Sequence, residues 1–165
     1  MISDEYRDQN RLLHEQSADY GSGSGLKFST FIRDVMKRTG STTVLDYGCG
    51  KGTLKDALGD CVTNYDPAVE KWSAEPAPAD LVVCTDVLEH VEPEFLDDVL
   101  DHIRALTLKA AFFVISCRPA HRHLPDGRNA HLTVEPPDWW TAKLGKRFRI
   151  FSKHVGSDNL MVLCR

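Results

Sequence analysis

No two of the five cysteines (Cys49, Cys61, Cys84, Cys117 and Cys164) form a CxxC pair. That absence argues against a zinc finger or ribbon. The odd, scattered count argues against a disulfide framework. The five are expected to be reduced thiols packed in or near the core, and no metal site is expected. Long apolar runs are also missing. The longest, Ala110 to Ile115, falls far short of the roughly 20 residues that cross a bilayer. The first twenty residues are polar and charged, with no apolar stretch of signal-peptide type. A cytoplasmic protein with no membrane partner is the expectation. Aromatic residues make up only 8% of the chain.

What is present is ordinary in bulk: 165 residues, 42% hydrophobic and 27% charged. That length predicts one domain over residues 1–165 with a single core. The net charge of −4 conceals a division. Residues 1–103 carry a net −11 and residues 104–153 a net +7. Two solvated faces of opposite sign would explain this, and so would a pole that attracts anions.

Hydrophobic spacing orders the chain. Residues 4–17 are weakly helical, and "YGSGSG" (Tyr20 to Gly25) predicts a loop. Leu26, Phe28, Phe31, Ile32, Val35 and Met36 recur at helical spacing, predicting a helix over 26–38 that ends at Gly40. "TTVLDY", "CVTNYD", "DLVVCTD" and "AAFFVIS" predict four buried strands, with a short helix over 51–59 between the first two. Residues 67–79 are irregular. Pro93 is expected to open a helix whose stripe runs Phe95, Leu96, Val99, Leu100, Ile103 and Leu106. A long polar loop (117–135), a short helix (137–144) and two strands over 147–155 and 158–164 complete the order. This predicts an α/β fold: a mostly parallel sheet with helices on both faces and an antiparallel strand pair at the end. Ligands of such sheets sit at the carboxyl ends of the strands. The loop of Gly48, Gly50 and Gly52, with Asp66, Asp86 and Ser116, falls at four of those ends.

Glycines so placed allow a tight turn or a close approach to the backbone. The dinucleotide fingerprint GxGxxG fails, because position 53 is threonine, and the phosphate-loop pattern GxxxxGK[ST] has no matching first glycine. "LDYGCGKGTL" instead resembles the first motif of the class I S-adenosylmethionine-dependent methyltransferases, acid-x-G-x-G-x-G at the end of the first strand. "YDP" is similar to that family's second signature, and "DLVVCTDVLEHV" looks like the fourth-strand motif of its "LEH" subgroup. "LPDGRNAHL" and the compact plan resemble small methyltransferases often encoded by bacteria and their viruses.

The resemblance implies a Rossmann-like fold and S-adenosyl-L-methionine as cofactor, released as S-adenosyl-L-homocysteine. It implies cofactor contacts from Asp46, Gly48, Cys49, Gly50, Asp66, Pro67, Thr85, Asp86 and Val87. Asp46 would accept from the cofactor's amino group, directly or through water, and Asp66 would take ribose hydroxyls. The segment 1–25 would form a helix and cap over the cofactor, making Tyr20 and Lys27 contacts to its carboxylate. The family's third strand, whose loop holds adenine, has no room in Pro67 to Ala79. The fold is therefore expected to be reduced there, with Trp72, Thr85, Asp86 and Val87 as candidates for an improvised adenine pocket, Trp72 by stacking or packing. Glu89 and His90 are expected to organise a loop at the start of a helix.

The loop Ser116 to Trp140 is long for a connector and rich in cations. Arg118, Arg122 and Arg128 suit a phosphate or carboxylate group on the acceptor. His131 is a candidate general base, with Arg118 a second candidate at the reacting centre. Trp139 is a candidate lid over the substrate. A small anion-bearing acceptor (a nucleotide, sugar or other metabolite) is the expected partner. Two alternatives stand beside it: a nucleic-acid methyltransferase, and a non-catalytic cofactor-binding scaffold. The acidic balance and the absence of a "[DN]PP[YF]" motif weigh against nucleic acid.

Overall fold

A computed structural model describes residues 2–17, 20–21 and 24–165. Six strands form one sheet: β1 (Val44–Tyr47), β2 (Val62–Tyr65), β3 (Ala79–Thr85), β4 (Thr107–Ser116), β5 (Ile150–Val155) and β6 (Asn159–Cys164). Their spatial order is β2-β1-β3-β4-β6-β5. The first four run parallel, and β6 is antiparallel to both β4 and β5. The predicted α/β plan and the terminal antiparallel pair are both observed.

The helices are α1 (Asp4–Gln16), α2 (Ser24–Thr39), α3 (Thr53–Leu58), α4 (Leu96–Leu106) and α5 (Pro137–Gly145). Side chains alternate along a strand, so each strand feeds both faces of the sheet. Leu45, Val82 and Phe113 meet Leu100 and Ile103 of α4 and Trp140 and Leu144 of α5 on one face. Val44, Leu81, Val83 and Phe112 meet Ile32, Val35 and Leu54 of α2 and α3 on the other. Burying each such side chain contributes about 1.5–3 kcal/mol, which is what clamps the helices to the sheet.

Three elements differ from the sequence expectation. Helix α2 begins two residues early, at Ser24, inside the predicted loop. A Cβ on Gly25 would stand 2.7 Å from the Leu54 nitrogen, so this glycine lets α2 press on α3. Ser22 and Gly23, the middle of that loop, lie outside the described residues. Helix α4 begins at Leu96, not Pro93, because the Phe95 N–H first closes a turn onto the Glu92 carbonyl at 3.0 Å. Glu89 and His90 sit in a separate 3-10 turn, Leu88–His90, ahead of that helix.

Between β2 and β3 there is no strand, only a 3-10 turn over Glu70–Trp72. The Asp66 N–H donates to the Trp72 carbonyl at 3.1 Å and folds the segment back beneath the sheet edge. β2 is therefore an edge strand, and the fold is reduced at the expected place. Tyr47 and Tyr65 are register partners at the ends of β1 and β2, and Asp46 faces Val83 across the β1–β3 pair. These registers bring Asp46, Asp66 and Asp86 together at the carboxyl end of the parallel strands.

Candidate active site

A cavity of about 320 Å³ opens over the carboxyl ends of β1, β2 and β3. Its floor is the turn that leaves β1. Gly48, Gly50 and Gly52 all have positive φ (77°, 51° and 77°), the left-handed region that disfavours a Cβ. The close approach that the glycines permit is made by protein. A Cβ on Gly48 would meet Val87 Cγ2 at 2.4 Å, and one on Gly50 would meet the Gly21 carbonyl oxygen at 2.5 Å. A Cβ on Gly52 would meet the Trp72 ring at 2.6 Å. Trp72 thus packs beneath the glycine turn and does not line the cavity, so the expected adenine contact is not seen there.

The two acids of this floor are both buried. Asp66 is fixed by main-chain donors: the Gly50 N–H on Oδ2 at 3.0 Å and the Ala68 N–H on Oδ1 at 2.9 Å. Asp46 has no such partner among the described residues. Burial, and then the Asp66 charge, push its carboxyl up to about 7. A buried carboxylate this close to ionising is primed for a cationic or hydroxyl-bearing ligand. Asp86 closes the far side in a left-handed conformation (φ 55°), its carboxylate accepting from the Ser24 hydroxyl.

The roof is α1. Ser3 caps this helix, accepting from the Tyr6 N–H at 3.0 Å. Ser3 also donates twice to Glu92, from its N–H at 2.8 Å and its hydroxyl at 2.6 Å. Gln9 donates to Asp126 at 2.9 Å, and Tyr20 donates to Asn10 at 2.8 Å. The face so held presents Ile2, Tyr6, Asn10 and His14 to the cavity. The Tyr6 hydroxyl and His14 Nδ1 are buried and, among the described residues, have no hydrogen-bond partner. Leaving such groups unpaired costs about 1–3 kcal/mol each, so they mark where a polar ligand belongs.

Of the sequence-predicted cofactor residues, Tyr20, Asp46, Gly48, Cys49, Gly50, Asp66, Pro67, Thr85, Asp86 and Val87 all line this one cavity. Lys27 does not; it lies exposed on α2 with its ammonium 5.1 Å from the Phe28 ring. The substrate candidates divide. Arg122 lines the cavity and donates to the Ser17 hydroxyl at 2.7 Å. Arg118 turns toward Asp158 at 3.6 Å, and Arg128 toward Asp126 at 2.6 Å and Glu5 at 3.7 Å. These two are spent on surface ion pairs. Trp139 stands edge-on to Trp140 and lines a separate hollow with Pro93 and Leu132, away from the cavity.

His131 is set back behind His90. Their rings meet edge to face with centroids 4.7 Å apart. The Nδ1–H of His90 donates to the Ala130 carbonyl at 2.8 Å, and that of His131 to the Arg118 carbonyl at 2.6 Å. Burial, then its neighbour His131, hold His90 down to about 4, and burial lowers His131. Glu89 is fully buried, accepting from the Ser116 N–H at 2.8 Å, and burial followed by Asp86 raises it to about 8.

Sequence reasoning set the 1–25 segment over the cofactor but did not single out Ile2, Tyr6, Asn10 and His14 on it, or His90, as cavity walls. A signal was available: Ile2, Tyr6, Asn10 and His14 recur every fourth residue, one face of a helix that mixes apolar and polar groups.

The sequence profile of a family described as "Methyltransferase domain" matches residues 10–154. The chain belongs to that family. No curated protein sequence matches it. Solved structures share the fold of this methyltransferase domain at low identity. A Burkholderia thailandensis 1,6-didemethyltoxoflavin-N1-methyltransferase, with its substrate and S-adenosylhomocysteine bound, aligns at TM-score 0.69 and 17% identity over 100% of this chain and 90% of its own. DhpI in complex with S-adenosylhomocysteine aligns at 0.63 and 14%, covering 97% and 96%. The N-methyltransferase NodS from Bradyrhizobium japonicum, also with S-adenosylhomocysteine, aligns at 0.61 and 15%, covering 96% and 98%. All three of these structures hold S-adenosylhomocysteine, and the orphaned polar atoms and paired acids of the cavity fit S-adenosylmethionine, the cofactor that the sequence motifs imply.

Proposed function

We propose that the domain methylates a small acceptor bearing an anionic group, and that the cavity over β1–β3 holds the cofactor with the acceptor entering beside it at Arg122. The observation that carries this reading is the roof. Helix α1 covers the strand ends and leaves a space of about 320 Å³, the lower end of the roughly 300–1,000 Å³ typical of small-molecule pockets. A polymer would need an open basic face, and Arg118 and Arg128 are already paired with acids.

S-adenosylmethionine supplies an electrophilic methyl group on a sulfonium. Asp66, fixed by two main-chain donors, is the acceptor for ribose hydroxyls. Asp46 takes the cofactor's amino group as its ionised form. Tyr6 and His14 offer the donors and acceptors that nothing else uses. Arg122 is the cavity's guanidinium and orients the acceptor's anionic group. Alignment and exclusion of water supply most of the acceleration here, because the methyl is already activated. His131 does not line the cavity, so a base role would have to be relayed through His90.

The test is transfer of label from methyl-tritiated S-adenosylmethionine. Label entering a metabolite extract supports the reading. Label entering DNA or RNA in preference supports the nucleic-acid alternative and overturns it.

A further inference from the structure

We propose that Glu89, His90 and His131 form a mononuclear site for a first-row divalent transition cation in the wall of the cavity. Three observations converge on it. One donor atom from each residue lies within 4.8 Å of the other two. Each histidine has its Nδ1–H committed to a main-chain carbonyl, Ala130 for His90 and Arg118 for His131. That fixes the tautomer, leaves both Nε2 lone pairs free, and is the outer-shell arrangement that orients metal-binding imidazoles. Glu89 is held by the Ser116 N–H through Oε1, while its Oε2 is fully buried and has no partner among the described residues.

The buried Oε2 of Glu89 has no protein donor among the described residues and stands beside two imidazoles whose Nε2 atoms are free. Imidazole nitrogen and carboxylate oxygen are ligand atoms for such a cation. Two nitrogens and one oxygen favour borderline cations such as Co²⁺ or Zn²⁺ over Mg²⁺ or Ca²⁺, which prefer oxygen cages. Donors at about 2.1 Å from one ion stand at most about 4.2 Å apart. Every donor pair already lies within 4.8 Å, so closing on one ion is within reach of small side-chain rotations. Three protein ligands leave coordination positions open, and His90 lines the cavity. On the reading of the cavity given above, an oxygen of the acceptor would complete the shell.

The experiment uses the untagged full chain without cofactor. Co²⁺ is titrated in, with visible absorption and thermal unfolding recorded, followed by Zn²⁺ competition. Saturation at one Co²⁺ per chain, a rise in melting temperature, displacement by Zn²⁺ and indifference to Mg²⁺ are expected. His131→Ala and Glu89→Gln should each weaken binding by more than the roughly 10–100-fold that losing an outer-shell partner costs. His131 is half-buried, so His131→Ala remains informative should Glu89→Gln not fold. No saturable absorption, equal affinity in His131→Ala, or thiolate charge-transfer bands placing Co²⁺ on a cysteine would each overturn the site. Because the readout needs neither cofactor nor acceptor, its failure leaves the methyl-transfer reading standing.

Discussion

Cofactor affinity should rise with pH through neutrality, and Asp46 should be the cause. Its carboxyl is pushed up to about 7 by burial and by Asp66. At pH 6 about one tenth of the apoprotein therefore carries the ionised form that accepts from an ammonium, and at pH 7.4 about seven tenths does. Affinity scales with the competent fraction. The cofactor's own α-amino group loses its proton near about 7.7–8.0, which returns part of the gain. The net expectation is about a sixfold tighter Kd at pH 7.4 than at pH 6, with a decline above about pH 8. The stability of the apoprotein runs the other way. With the folded pKa raised, the folded state binds the more protons between about pH 4 and pH 7, so stability falls across that window as pH climbs. Calorimetric titration with S-adenosylhomocysteine at four pH values measures the first effect. Asp46→Asn should weaken binding at pH 7.4 by about 10–100-fold, the loss of a charge-assisted hydrogen bond, and should erase the rising limb. His14 is also in the cavity, but burial lowers it, so its titration ends before this limb does. A flat profile in the parent protein, or an undiminished rise in Asp46→Asn, would refute the reasoning.

Other predictions follow from the same geometry. Gly50→Ala puts a Cβ 2.5 Å from the Gly21 carbonyl at a φ of 51°; the left-handed conformation alone costs about 1–2 kcal/mol, and a lowered melting temperature with weaker cofactor binding is expected. Tyr6→Phe removes a buried hydroxyl without a partner, so the apoprotein should hold or gain stability by up to about 1–3 kcal/mol in urea unfolding, while ligand affinity falls. Arg122→Ala should raise the acceptor KM and leave cofactor Kd unchanged; full turnover at low acceptor concentration would remove the anion site.

The first three strands were legible because they are short and apolar with β-branched residues, and because a glycine or an acid stops each of them. The reduced edge after β2 was legible by length alone, since Pro67 to Ala79 is too short to hold a strand and its crossover. Reading the acids and glycines of the strand ends as one cluster worked for the same reason: parallel register puts strand ends together whatever the side chains are. What was not legible depended on side-chain direction across long sequence separations. Arg118 and Arg128 carry the right charge for the cavity, yet Asp158, Asp126 and Glu5 hold them outside it. Trp72 lies in the right segment and turns under Gly52. Lys27 is one turn into a helix whose start depends on how closely Gly25 lets it approach α3. The glycine loop was read as making room for a ligand, but much of that room is taken by Val87, Gly21 and Trp72.

The helix over the cavity is held by apolar packing of Tyr6 and Leu13 on Leu124 and Ala130 and by polar clasps, among them Ser3 on Glu92, Gln9 on Asp126 and Arg128 on Glu5. Several of these are solvent-exposed and individually weak. On the proposed function, exchange of the nucleoside would require enough of these contacts to let go together. Turnover would then be limited by how often α1 lifts, making salt and viscosity, more than acceptor chemistry, the levers that set its pace.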